Sequence, residues 1–161
     1  MKDRFNYMMQ LSPIKSCNLQ PAFRFVATID RSFYYYIPVG VITFDNVLVD
    51  LGTDFDALRG EFTAPRNGTY LFMVDGTLRS ESRSAQIDLI VNDGTIRQFS
   101  ENNNADVNYH KSIIGVFSLG LNSGDVVKIN NRNSETVHVN IHYPFRFMGV
   151  LISDDISDEL K

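Results

Sequence analysis

Apolar and polar residues alternate along most of this chain with a period of two, not the three-to-four spacing of a helix. In 85–92, Ala85, Ile87, Leu89 and Val91 share one parity, while Gln86 and Asp88 take the other. Successive side chains of a strand point to opposite faces, so this segment predicts a strand with one dry and one wet side. The same reading turns Val127 and Ile129 inward and Lys128 and Asn130 outward in 125–130. Further strands are expected at 22–29, 33–38, 41–51, 57–63, 69–78, 95–100, 111–121, 135–142 and 145–152. Between them, Asn67-Gly68, Asp93-Gly94 and Ser123-Gly124-Asp125 supply turn chemistry. Many short strands without an internal repeat predict an all-β sandwich or barrel.

Three of the strands are apolar on both sides. In 69–74, Tyr70, Phe72 and Val74 oppose Leu71 and Met73. In 111–121, Ile114 and Val116 oppose Ile113, Phe117 and Leu119. In 145–152, Phe145, Phe147 and Leu151 oppose Met148, Val150 and Ile152. A sheet in a sandwich needs only one dry face. The second calls for a cover, and with no helices to provide it, another copy of the chain is the simplest one. Single exposed apolar residues are ordinary, but three such strands make a contiguous patch. The candidates for a self-interface or for the core are therefore Leu71, Met73, Ile113, Phe117, Leu119, Met148 and Val150. Alternation alone does not say which dry face meets the partner.

Length and composition narrow the classes. With 161 residues, 43% hydrophobic and 21% charged, the chain has enough apolar material for one domain and argues against disorder. The domain is expected at 21–152, between a polar arm at 1–20 and an acidic tail at 153–161. A net charge of −4 gives no basic face for nucleic acid. No run approaches the ~18 apolar residues of a membrane helix, so no membrane insertion is expected. The single cysteine, Cys17, excludes an intrachain disulfide. Residues 1–20 contain no apolar run of signal-peptide length, so a secretory signal is either outside this sequence or absent, as in an intracellular or bacterial protein.

The aromatic and glycine positions resemble those of the globular-head family of complement C1q. The matching positions run Phe44, Asp50, Phe55, Phe62, Gly68, Tyr70 and Phe72, with Val74 where an aromatic is usual. Leu119 and Leu121 before Gly124-Asp125-Val126-Val127 resemble a second family stretch, and Phe147-x-Gly149-x-Leu151 resembles the closing strand. The resemblance implies a ten-stranded antiparallel jelly roll, shared with the tumour necrosis factor ligands. It also implies a secreted homotrimer that binds protein, glycan or microbial-surface ligands, as in innate immunity. A structural trimerisation module without its own ligand is the alternative. The family often carries a collagen stalk, but no glycine precedes Gly40, so no Gly-X-Y repeat is present. The marked aromatics have a physical role as core, each contributing roughly 2–3 kcal/mol when buried.

Candidate chemistry is sparse. No nucleophile elbow or phosphate-binding glycine loop occurs, and no enzyme is expected. His138 and His142 look like a metal pair, but four residues along a strand span roughly 13 Å, too far to share one ion. His110 is isolated. Some members of the resembled family hold calcium in acidic loops, which makes Asp93 a calcium candidate. The acid expected before its strand is replaced by Ser82 or Ser84, with Glu81 nearby, and calcium wants six to eight oxygens. No other cofactor is expected. Asn67-Gly68-Thr69 is a glycosylation sequon, which the turn before 69–78 explains equally well. The polar loops 79–84 and 101–110 are the expected recognition surfaces.

Overall fold

A computed structural model of the chain describes residues 22–29, 35–79, 84–102, 110–132, 137–139 and 144–154. The arm at 1–20, with Cys17, and the end at 155–161 lie outside them, as do most of the two polar loops and His142.

All regular structure among the described residues is strand. In chain order these are β1 (Ala22–Ile29), β2 (Tyr35–Ile37), β3 (Gly40–Val41), β4 (Asn46–Asp50), β5 (Phe55–Asp56), β6 (Glu61–Thr63) and β7 (Gly68–Arg79). They continue as β8 (Ser84–Val91), β9 (Gly94–Asn102), β10 (His110–Leu121), β11 (Val126–Asn131), β12 (Val137–Val139) and β13 (Phe145–Asp154). One sheet has seven strands in the order β2-β12-β7-β13-β1-β4, with β10 also paired to β7. The other has six in the order β5-β6-β11-β8-β9, with β3 also on β11. Every pairing is antiparallel. The fold is the expected all-β sandwich.

Several boundaries differ from the sequence reading for local reasons. The expected strand 41–51 splits into β3 and β4. In 57–63 only β6 is extended, because the Asp56 carboxylate accepts the Arg59 N–H at 3.1 Å and closes 57–60 as a turn. Pairing of Val91 with Gly94 makes Asn92 and Asp93 the two loop residues of the β8–β9 hairpin. Both have positive φ, 49° and 66°, as such a turn demands, so the turn lies one residue earlier than the Asp93-Gly94 dipeptide suggests. Strand β13 runs two residues into the expected acidic tail, where Ser153 and Asp154 pair with Thr69 and Gly68.

The core lies between the sheets. Phe25 stacks on Phe55 at 4.4 Å between ring centroids and on Phe62 at 5.1 Å, and meets Phe147 edge-on at 4.8 Å. Tyr70, Phe72 and Val74 from β7, Ile87 and Leu89 from β8, and Val127 and Ile129 from β11 are all fully buried. Offset and edge-on rings add to the area each removes from water. The family-marked positions Phe44, Phe55, Phe62, Tyr70, Phe72 and Phe147 are therefore core residues. Gly149 belongs with them, since a Cβ there would lie 2.5 Å from the Phe25 ring. An Asn-Gly turn of the kind the sequence suggests at Asn67-Gly68 calls for a positive φ, but the Gly68 backbone is ordinary strand. A Cβ at this position would lie 2.6 Å from the Ser153 carbonyl oxygen, so close approach of β13 is what requires glycine. Asp88, expected on a wet face, is 2% exposed, with Arg132 Nη1 3.5 Å from its Oδ2.

The sheet edges are treated unequally. Edge strand β4 carries a bulge at Leu48, because Val47 and Val49 pair with consecutive residues of β1. Edge strand β9 is bulged at Ile96 and opposes Arg97 to the inward-facing Leu89. Strand β5 has two residues and β2 has three. Bulges, inward-facing charge and shortness all protect an edge from pairing with another chain. Strand β10 has none of these devices. Its 12 residues run in unbroken register with β7, and among the described strands it pairs with β7 alone.

Candidate functional site

The same strand borders the outer face of the seven-stranded sheet, the side turned away from the sandwich core. Register places Val116 of β10 beside Met73 of β7, Met73 beside Met148 of β13, Met148 beside Val26 of β1, and Val26 beside Val49 of β4. This apolar row crosses five strands. The adjacent row continues it with Ser118, Leu71 and Val150. Val116 is 57% exposed and Ile114 is 75% exposed, while Met73, Met148, Val26 and Val49 are half-buried by their neighbours. Val150 in the adjacent row is 9% exposed.

The interface-or-core candidates thus separate. Leu71, Met73, Met148 and Val150 lie on the outer face. Ile113 is buried in the core at 4% exposure, and Phe117 and Leu119 pack against the core from the inner face. The expected set omitted Ile114 and Val116. They share a parity with Ser112, Ser118 and Gly120, and that mixture of small polar and apolar residues marks the outer face.

Polar rows bound the apolar one. Toward one end, Ile114, Asp75, Arg146 and Thr28 align across four strands. The Arg146 guanidinium grips the Asp75 carboxylate through Nε and Nη2, with Nε 2.9 Å from Oδ1. That pairing raises the Arg146 pKa above its ordinary value. A cleft of about 210 Å³ opens beside it, lined by Thr77, Ser112, Ile114 and Pro144 as well as the ion pair. Toward the other end, a polar cleft of about 430 Å³ lies over Gly68, Thr69, Gly120, Asn122, Ser153 and Asp154. Arg66 Nη1 is 3.2 Å from Asp154 Oδ2 at its border.

The remaining sequence candidates occupy structural positions. Asp50 Oδ1 accepts the Asp54 N–H at 3.1 Å and shapes the turn after β4. Asp125 Oδ1 accepts from Asn92 Nδ2 at 2.7 Å and its Oδ2 accepts the Asn122 N–H at 2.8 Å. Gly124 beside it takes φ +92°, which a side chain resists. Asn67 Oδ1 accepts the Ser123 N–H at 2.8 Å, joining the turns before β7 and β11. Tyr70 donates its hydroxyl to the Arg66 carbonyl at 2.8 Å, and burial raises its pKa. Asp93 accepts from Lys128 Nζ at 2.7 Å. Glu81 and Ser82 lie outside the described residues. Among those described, no three His, Cys, Asp or Glu side chains gather as a metal site. No helix among them is long and apolar enough to cross a membrane.

The two-sheet antiparallel sandwich has known counterparts. The family model for the C1q domain matches residues 24–152. The chain belongs to the C1q domain family. Among solved structures, the globular domain of zebrafish complement 1qA superposes with a TM-score of 0.63 at 22% identity, covering 81% of this chain and 98% of that one. Eiger TNF from S. frugiperda matches with a TM-score of 0.61 at 13% identity, over 82% and 94% of the two chains. Murine APRIL matches at 0.57 and 12% identity, over 81% and 100%. The fold is thus the jelly roll common to C1q and tumour necrosis factor domains. C1q domains are typically trimeric recognition modules, not enzymes, and are generally extracellular.

Proposed function

We propose that this C1q domain is an extracellular, non-catalytic recognition head that assembles as a homotrimer and binds protein or glycan ligands multivalently. The observation that carries the assembly is the outer-face row Val116–Met73–Met148–Val26–Val49, bordered by β10, the one long edge strand among those described without such protection. Apolar surface of that extent is rarely left in water, and an edge such as β10 invites another chain. A closed ring of three places the edge and face of each copy against its neighbours and leaves none exposed. The interface should bury on the order of 2,000 Å² or more.

Multivalency follows from the trimer. Three modest sites on one rigid body raise avidity by roughly 10²–10⁴ when the target repeats at matching spacing. Light scattering at micromolar concentration should report about three times the 18.3 kDa chain mass. A folded protein of single-chain mass would overturn the assembly. Protein and glycan arrays probed with the trimer at high and low ligand density test recognition, and binding independent of density would overturn the multivalent mode.

A further inference from the structure

The chain has five methionines, and three of them, Met1, Met8 and Met9, belong to the arm. The other two, Met73 and Met148, are direct register partners on adjacent strands of the seven-stranded sheet. They stand at the centre of the apolar row, with Val116 on one side and Val26 on the other. Both are half-buried on the outer face of that sheet. Side chains directly opposite on neighbouring strands sit roughly 5 Å apart at Cβ, so the two thioethers form one patch.

We propose that Met73 and Met148 are a paired oxidation site that controls self-assembly, an inference resting on the trimer reading above. The chemistry needs a two-electron oxygen donor such as hydrogen peroxide. A sulfur lone pair attacks one peroxide oxygen, the S–O bond forms as the O–O bond breaks, and the departing hydroxide takes the proton from the transferred hydroxyl to leave the sulfoxide and water. The thioether loses two electrons and the peroxide gains them. The product sulfoxide is polar, and methionine sulfoxide reductases reverse the change. In the separated chain both side chains are partly exposed on the outer face. In the assembly the neighbouring copy closes it, so oxidation and assembly exclude one another. Placing a sulfoxide dipole in a dry contact without a donor weakens association at least about tenfold, and two side by side weaken it further.

The test compares peroxide treatment of the protein at high concentration and after dilution to single-chain mass. Peptide mass spectrometry follows Met73 and Met148, with Met8 and Met9 as references. Both core-domain methionines should oxidise slowly in the assembly and faster after dilution, and the oxidised chain should fail to reassemble on concentration. Reductase treatment should restore assembly. The double variant Met73→Leu/Met148→Leu should assemble and keep its mass after peroxide. An oxidised protein that reassembles fully overturns the proposal while leaving the trimer reading intact. So does resistance of both residues in the diluted chain. An untreated protein that is never larger than one chain overturns the trimer reading, and the switch with it.

Discussion

Lys128 of β11 reaches across to Asp93 in the β8–β9 turn, with Nζ 2.7 Å from Oδ1. The same ammonium is 3.7 Å from Glu61 Oε1. The hydrogen bond from Lys128, and then its charge, hold the Asp93 carboxyl below its ordinary pKa. The protein's own cation thus stands where a bound one would be drawn. Calcium would have to displace the ammonium and gather six to eight oxygens from a turn that offers few. We therefore expect millimolar calcium to leave the melting temperature unchanged. A calcium-dependent rise that Asp93→Ala removes would place the ion there after all.

Acid should loosen the turn that Asp125 closes. The hydrogen bond from Asn92, and then that from the Asn122 N–H, lower the Asp125 pKa in the folded state. A carboxyl depressed on folding stabilises the fold fully above its unfolded value of about 3.9, and that contribution is lost as pH falls through the lower folded value. Asp93 acts in the same direction. Melting temperatures between about pH 6 and pH 2 should fall more steeply for wild type than for Asp125→Asn, with the curves approaching each other at the acid end. Parallel curves would deny Asp125 that role.

The parity of apolar residues made the sandwich legible, because a strand's faces follow from counting by two. Tyr70 and Met73 could be assigned to opposite faces in this way. Parity could not say which face meets the core, since both faces of β7, β10 and β13 are apolar. That is decided by packing against the second sheet, which draws in Phe117 and leaves Val116 outside. The purpose of Gly68 was also out of reach. An Asn-Gly dipeptide signals a turn locally, but the constraint comes from Ser153, 85 positions away in sequence, whose carbonyl oxygen occupies the space. Asp88 misled for a related reason, as alternation places a side chain on a face and does not reveal what covers it.

Two glycines on β10 and β13 should respond unequally to a methyl group. At Gly149 a Cβ would lie 2.5 Å from Phe25 Cε1 and 3.2 Å from Phe72 Cε1. The Phe25 ring cannot retreat, because it is stacked on Phe55 and Phe62. Gly149→Ala should cost about 1–3 kcal/mol, a fall of several degrees in melting temperature. At Gly120 nothing lies within 4 Å of the same atom, and Gly120→Ala should be nearly neutral. Chemical denaturation of both variants decides it, and equal effects would contradict the packing assigned to β13.

The two faces of the seven-stranded sheet can be separated with one kind of substitution. Phe147 is fully buried, its ring centroid 4.8 Å from that of Phe25 and 5.9 Å from that of Phe72. An aspartate there is an unpaired carboxylate in a dry core, costing several kcal/mol against a total stability of roughly 5–15. Phe147→Asp should leave no folded protein. Val116 is 57% exposed on the outer face, where a charge remains hydrated in the single chain and changes its stability by within about 0.5 kcal/mol. In an assembly that covers this row, the same charge is desolvated and pushes the copies apart. Val116→Asp should therefore retain the β-sheet circular dichroism of wild type while its mass falls to that of one chain, 18.3 kDa. Ile114→Asp, on the same face at 75% exposure, gives an independent second variant. If both keep the full assembled mass, the outer face of β10 is not where copies meet. If either unfolds as Phe147→Asp does, the assignment of its side chain to the outer face is wrong.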